Sequence, residues 1–314
     1  QQGFESPWDH HIEITNLNQP RCWFKYFYHP CFQFPLFFGM ILIMHYQNEI
    51  NIAKQLSKDS GQIMLKYFNT AAASPQLKSD KTILTKADTE INDLVIRVLG
   101  DKTPTYSIWG EEQSSIIDSA EYTWVCDPVD GTQPFSKVIP ISTFSLALVD
   151  SKGRSVLGVV YDPFQDRLYE AVIGGGAFLN GVKIAVSDKG SLDTAYIDEE
   201  LWLNHEEGIT FNDPKDVLNK RGAKVTTMCS AIIAGCFVAQ GTYDAMVFGQ
   251  GKPEDIAALA VIVTEAGGKV TDLFGNGQRY DTNIRGAVVS NGSIHTELIE
   301  ISSSIDYQSK YLEN

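Results

Sequence analysis

The feature that most constrains this chain is a nine-residue stretch, WVCDPVDGT, at positions 124–132. An apolar run ends there on two carboxylates. YTWVC at 122–126 predicts a short buried strand, and Asp127 follows it directly. Pro128 has no N–H to donate and pushes Asp127 into an extended conformation. Asp130 follows closely, and Gly131-Thr132 lets the chain turn tightly. Two carboxylates, the Val129 carbonyl and a hydroxyl therefore crowd one strand end. This oxygen-only environment suits a hard cation such as Mg²⁺. The N–H groups of Gly131 and Thr132 could meet a phosphate, above all if they open a helix. The same residue types also make an ordinary Asx turn, so the stretch by itself leaves both readings open.

Two other acidic places bear on that choice. GEE at 110–112 puts Glu111 and Glu112 after the apolar pair Ile108-Trp109, again where a strand would end. A solvated acidic loop is the alternative. Asp255 falls in the first turn of a helix expected over 253–266, where favourable interaction with the helix dipole would suffice to explain it. The glycine run at 174–176 lacks the Lys-Ser/Thr ending of a phosphate loop and reads as part of a hairpin.

Charge and composition narrow the partners. Lys plus Arg is 25 and Asp plus Glu is 39, a formal charge of −14. That excess argues against nucleic acid or an anionic membrane as a main partner. An anionic substrate fits only if bound cations reverse the local field. Cys22, Cys31, Cys126, Cys229 and Cys236 are odd in number and form no CxxC pair. A disulfide framework is not expected, and a reducing, cytoplasmic setting is. The six histidines are scattered with no HExxH, so a metal here would be held by oxygen.

The chain has 314 residues, 43% of them hydrophobic, which predicts two domains or one large one with a real core. Residues 1–43 read differently from the rest. The run CFQFPLFFGMILIM spans 14 residues and contains Pro35. A membrane helix needs about 20. We expect an extension outside the fold, with an anchor or targeting segment as the alternative. A helix is expected over 47–68, a Pro/Ser-containing loop over 69–81, and a helix over 88–99 stopped by Gly100. Strands are expected near 142–149, 156–161, 167–172, 194–197 and 287–290. Asn180-Gly181 predicts a hairpin turn. Helices are expected over 230–240, with Ser230 as N-cap and an all-round apolar surface, over 253–266, and over 294–302. The blocks make an α+β or α/β protein, with halves at 44–188 and 189–314.

The order of these pieces resembles the inositol monophosphatase family, within the wider group of Mg²⁺-dependent, lithium-sensitive phosphatases. The matching segments are GEE at 110–112, DPVDGT at 127–132, GVVYDP at 158–163, GGGAFLNG at 174–181 and DIAALAVIVTEAGG at 255–268. The resemblance implies a layered αβαβα sandwich of the inositol monophosphatase and fructose bisphosphatase type, with a polar site between the halves. It implies Glu111, Asp127 and the Val129 carbonyl as ligands of a first Mg²⁺. Asp127, Asp130 and Asp255 would hold a second, with Asp127 bridging, and a third, weaker ion would lie near Glu111. Thr132 and Asp88, in ILTKAD at 83–88, match the pair that orients and deprotonates the attacking water. Without the resemblance, Asp88 reads as a helix cap. Gly131, Thr132, Ser230, Ala231 and Phe248 are the implied substrate contacts.

The implied activity is hydrolysis of a small phosphomonoester, with no nucleic acid or membrane partner and a homodimeric assembly. Four departures from the family pattern matter. Gln133-Pro134-Phe135 replaces the usual Thr-Asn-Phe, Glu254 replaces the usual Trp before Asp255, and Cys229-Ser230-Ala231 stands for the usual Gly-Ser/Thr-Ala. Phe248 stands where a glutamate would grip inositol hydroxyls. Unless Phe248 packs into the core, it gives the leaving-group pocket an apolar or stacking wall. Histidinol phosphate, a sugar phosphate or a phosphoadenosine nucleotide are then alternatives to inositol phosphate. A catalytically weak member that binds a phosphorylated metabolite is a further one. Glu254 would tune metal affinity or face solvent.

Overall fold

The computed structural model describes residues 44–70, 76–77, 83–201, 214–249 and 251–303. The expected extension at 1–43, and most of the loop expected over 69–81, lie outside the described residues.

Among the described residues, strands that are largely buried on both faces build two main sheets. The larger has seven strands in the order β3-β4-β5-β6-β7-β8-β9. These are β3 (Ser107–Gly110), β4 (Tyr122–Asp130), β5 (Thr143–Asp150), β6 (Ser155–Asp162), β7 (Arg167–Val172), β8 (Gly176–Leu179) and β9 (Val182–Lys183). Only β3 and β4 run parallel; every later neighbour is antiparallel. Before it, β1 (Gln76–Leu77), inside the segment expected to be loop, pairs antiparallel with β2 (Ile83–Leu84), just beyond that segment. The second sheet has five strands in the order β11-β10-β12-β14-β13. They are β10 (Tyr196–Glu200), β11 (Lys224–Thr226), β12 (Ala245–Phe248), β13 (Lys269–Thr271) and β14 (Ala287–Ser290).

Helices fill the remaining layers. α1 (Gln47–Tyr67) and α2 (Lys86–Lys102) cover one face of the large sheet, where Phe144, Leu146 and Leu148 of β5 point. Ala147 and Val149 of the same strand point the other way, toward α5 (Ala231–Ala239) and α6 (Ala257–Glu265). Those two helices lie between the sheets, which is why α5 is apolar all round. They approach closely: a Cβ on Gly235 would sit 2.3 Å from Leu259 Cδ1. The outer face of the small sheet packs on α4 (Pro214–Lys220) and α7 (His295–Ser302). The result is the layered αβαβα sandwich. A short α3 (Thr132–Ser136) follows β4. No helix among the described residues is long and apolar enough to cross a membrane.

Three local expectations are corrected. Gly100 does not stop α2, which runs on to Lys102 and ends where Thr103 N–H meets Leu99 O at 2.8 Å. Gly100 is exposed, and a lone glycine weakens a helix without breaking it. The helix expected over 253–266 is split into a 3₁₀ turn, Pro253–Asp255, and α6. The strand at 194–197 starts later and runs through three acids to Glu200. By contrast, Asn180 and Gly181 both adopt positive φ, as the hairpin requires.

Candidate active site

Strand β4 does not stop at Cys126 but carries on to Asp130. Its pairing with β5 slips on the way: Asp127 faces Ser145 and Asp130 faces Thr143. Three steps on β4 thus match two on β5, a bulge at the point where Pro128 cannot donate. In a regular strand, residues three apart face opposite sides. The bulge brings Asp127 and Asp130 onto one side. Gly131 then turns the chain into α3 with φ of 75°, and a Cβ there would lie 3.0 Å from Ser230 Cβ. The turn reading of the DPVDGT stretch holds, because Asp127 Oδ1 accepts the Val129 N–H at 2.9 Å as an Asx turn does.

The 3₁₀ turn delivers Asp255 from the other side. Oxygen atoms of Asp127, Asp130 and Asp255 lie within 4.8 Å of one another, and so do those of Asp88, Glu111 and Glu112. Burial first, and then the neighbouring acids, push Asp127 and Asp255 well above the usual carboxylate range. Burial also lifts Asp130 to about 6, against the bonds from Ser230, Ile232 and Thr143 that lower it. Glu111 is the strongest charge acting on Asp127. Lys252 reaches Glu111 at 3.3 Å; burial opposes its charge, but Glu111, Glu254 and Asp255 outweigh that and raise its pKa. A cluster of carboxylates this close is stable only with protons or cations among them. Its donors are all hard oxygens, so the residues fit a divalent hard cation.

Asp88 plays two parts. Its Oδ2 accepts the Thr85 N–H at 2.7 Å and the Thr85 hydroxyl at 2.5 Å, a capping box at the start of α2. Its Oδ1 lies 3.3 Å from Thr132 Oγ1. Thr132 Oγ1 also lies 2.9 Å from the Val129 carbonyl, and its single proton serves one acceptor at a time. Burial lifts Asp88 to about 7, with the Thr85 bonds opposing and Glu111 and Glu112 adding to the rise.

The expected substrate contacts divide. Gly131 and Thr132 are partly exposed beside the carboxylates. Ser230, Ala231 and Phe248 are 1%, 5% and 3% exposed. Phe248 packs in the core between the sheets with Ile256 and Met246, so the apolar pocket wall expected of it is not formed. Ser230 turns its hydroxyl to Asp130 Oδ2 at 2.5 Å and makes no side-chain cap bond to α5. Asp130 caps that helix instead, accepting the Ile232 N–H at 3.1 Å on the same Oδ2. Glu254 does not face solvent: it is 5% exposed, bonded by the Trp109 indole, and its Oε2 has no hydrogen-bond partner. Asp198 and Glu200 were missed, because a run of acids reads as loop, yet both are buried near Ser230. The glycine run is part of a hairpin, with the Gly174 and Gly176 N–H groups gripping the Glu265 carboxylate at 2.7 and 2.8 Å.

Known proteins resemble this chain in sequence and in fold. The fructose-1,6-bisphosphatase/inositol-1-monophosphatase of Thermotoga maritima is 28% identical over 258 residues, covering 82% of this chain and 97% of that protein. Inositol monophosphatase 1 of Solanum lycopersicum is 31% identical, covering 83% and 96%. The Nus factor SuhB of Pasteurella multocida is 32% identical, covering 74% and 88%. Among solved structures, the inositol monophosphatase from Anabaena superposes with a TM-score of 0.72 at 26% identity, covering 83% of this chain and 97% of the other. The family model described as "Inositol monophosphatase family" matches residues 45–307. The chain belongs to the inositol monophosphatase family, a family of phosphatase hydrolases.

Proposed function

We propose that this protein hydrolyses a small phosphomonoester with the help of Mg²⁺. The observation that carries the reading is the convergence of Asp127, Asp130 and Asp255 oxygens within 4.8 Å, from two segments far apart in the chain. Glu111, Asp127 and the Val129 carbonyl would hold one Mg²⁺. Asp127, Asp130 and Asp255 would hold a second, and a third, weaker ion would lie near Glu111. Bound there, the cations would offset the carboxylate charge, admit a phosphate dianion and stabilise charge on the phosphoryl group.

The chain's own residues do the rest. Thr132 and Asp88 form the water-holding pair, with Thr132 positioning and Asp88 Oδ1 taking the proton. A general base works best with a pKa near the operating pH, and burial moves Asp88 upward in that direction. The first N–H groups of α3 have no partner inside the helix, so Gly131 and Thr132 can donate to phosphate oxygens. The non-catalytic alternative is less well supported, since every residue of the water-holding pair and of both ligand sets is present. The buried Phe248 leaves no carboxylate at that position to grip a polyol, so a substrate other than inositol phosphate stays in the proposal. We place the enzyme in the cytoplasm as a homodimer.

The test is phosphate release from inositol 1-phosphate, fructose 1,6-bisphosphate, histidinol phosphate and a phosphoadenosine nucleotide, each with Mg²⁺ and with EDTA. Turnover of at least one, abolished by EDTA, is expected. No turnover of any phosphomonoester in a wider screen would refute the proposal.

A further inference from the structure

Two carboxyl groups on the apolar side of the small sheet need a reason to be there. Ile197 of β10 packs into the outer core, so alternation points Asp198 and Glu200 to the inner face. Their register partners on β12 are Met246 and Phe248, both in the core between the sheets. Asp198 is 0% and Glu200 1% exposed. Buried carboxyls persist where hydrogen bonds hold them.

Those bonds go to one short stretch of chain. Asp198 Oδ1 accepts the Thr226 hydroxyl at 2.9 Å and the Met228 N–H at 3.1 Å. Glu200 Oε1 accepts the Ser230 N–H at 3.3 Å, and the Cys229 N–H also bonds to Glu200. The two carboxyls bond to each other, and burial with the nearby Asp198 charge raises Glu200 so that it keeps its proton. Asp198 Oδ2 is buried and has no hydrogen-bond partner of its own. Between the anchored N–H groups, Cys229 adopts φ of 59°, a left-handed conformation that a residue with a Cβ keeps only when its surroundings hold it. The stretch ends on Ser230 Oγ, 2.5 Å from Asp130 Oδ2. Thr143 Oγ1 and the Ile232 N–H complete three bonds, all to Oδ2 and none to Oδ1.

We propose that Asp198 and Glu200 are positioning residues for the cation site: as a hydrogen-bonded pair they hold residues 228–230, and through Ser230 and the start of α5 they fix Asp130 with its Oδ1 turned to the cation. This role rests on the cation site proposed above. Hydrogen bonds behind a ligand typically set metal affinity by about 10–100-fold. The pair acts through its bonds, not its charge, so an amide that keeps the bonds should replace either acid.

The experiment titrates the full chain and its variants with Mg²⁺ by calorimetry, without substrate. Glu200→Gln can accept from Ser230 and donate to Asp198, so its affinity should stay within about twofold of wild type. Glu200→Ala should bind Mg²⁺ at least about 10-fold more weakly. Thr226→Val, a near-isosteric change that folds even if Glu200→Ala does not, removes one bond from Asp198 and should weaken binding by about two- to fivefold. Wild-type affinity in the folded Ala variant or in Thr226→Val would overturn the proposal. A Gln variant as weak as the Ala variant would do the same, because charge would then be the active property. No Mg²⁺ binding by wild type would refute the cation site itself, and this role with it.

Discussion

Asp127→Asn should stabilise the metal-free protein while abolishing its activity. Oxygens of Asp127, Asp130 and Asp255 approach within 4.8 Å. At an effective dielectric of about 20, two unit charges at that distance repel by about 3.5 kcal/mol. Asp127 takes part in two such pairs, a gross repulsion of about 7 kcal/mol. Proton uptake by the cluster already relieves much of this, as the raised pKa values of Asp127 and Asp255 indicate. We expect a net gain of about 1–3 kcal/mol, or about 2–6 °C in Tm for a chain of this size. The Asn Oδ1 can still accept the Val129 N–H now bonded at 2.9 Å, so the turn survives. With Mg²⁺ at about 100 times Kd, wild type gains about 2.7 kcal/mol by linkage, and the variant loses most of that gain. Thermal melts with EDTA and with Mg²⁺ should therefore cross: variant above wild type without metal, below or equal with it. Phosphate release should fall by more than about tenfold, over 1.4 kcal/mol. A variant that melts lower in EDTA, or that keeps the wild-type Mg²⁺ shift, would refute the reasoning.

Thr132→Ala and Asp88→Asn should each lower kcat by about 10²–10⁴-fold with little change in KM; steady-state kinetics that move only KM would reassign both to binding. Asp130 and Asp88 sit at about 6 and about 7 in the fold against an ordinary 3.8, so the folded state binds the extra protons. Metal-free stability from these groups is fully present below about pH 4 and is lost as pH rises through 6 to 7, whereas Mg²⁺ should flatten that slope in urea titrations. Phe248→Glu should not switch specificity but should destabilise by about 3 kcal/mol or more, since it buries an unpaired carboxyl; a folded variant with improved inositol phosphate turnover would count against the buried placement. Gly235→Ala should cost about 1–3 kcal/mol in urea unfolding, because its Cβ would meet Leu259; an unchanged midpoint would show that α5 and α6 are less tightly packed.

Much of the site was legible because its chemistry is local. The order Asp127, Pro128, Asp130, Gly131, Thr132 marks an interrupted strand rich in oxygen donors. Asp88 is readable as a cap from Thr85 three residues before it, and the capping box is there. Its second role was not readable by local rules, because the 3.3 Å approach to Thr132 joins residues 44 apart. Asp198 and Glu200 were hidden for the opposite reason: local rules place acid runs in solvent, and only the sheet turns these two inward.

The layered order and the full donor set were implied by the family resemblance; by itself, the sequence determined the apolar helices, the hairpin at Asn180-Gly181 and the paired carboxylates at 127 and 130. These follow from periodicity, turn chemistry and side-chain type, which act over a few residues. Tertiary structure alone decided the rest. The slip of β4 against β5 put Asp127 and Asp130 on one side, and packing buried Phe248 and Glu254 where exposure had been expected or left open. The bonds of Asp130 went to Oδ2 and left Oδ1 without one. Each depends on which distant strand or helix comes to lie alongside, and that is settled by the energy of the whole packed arrangement rather than by any one segment.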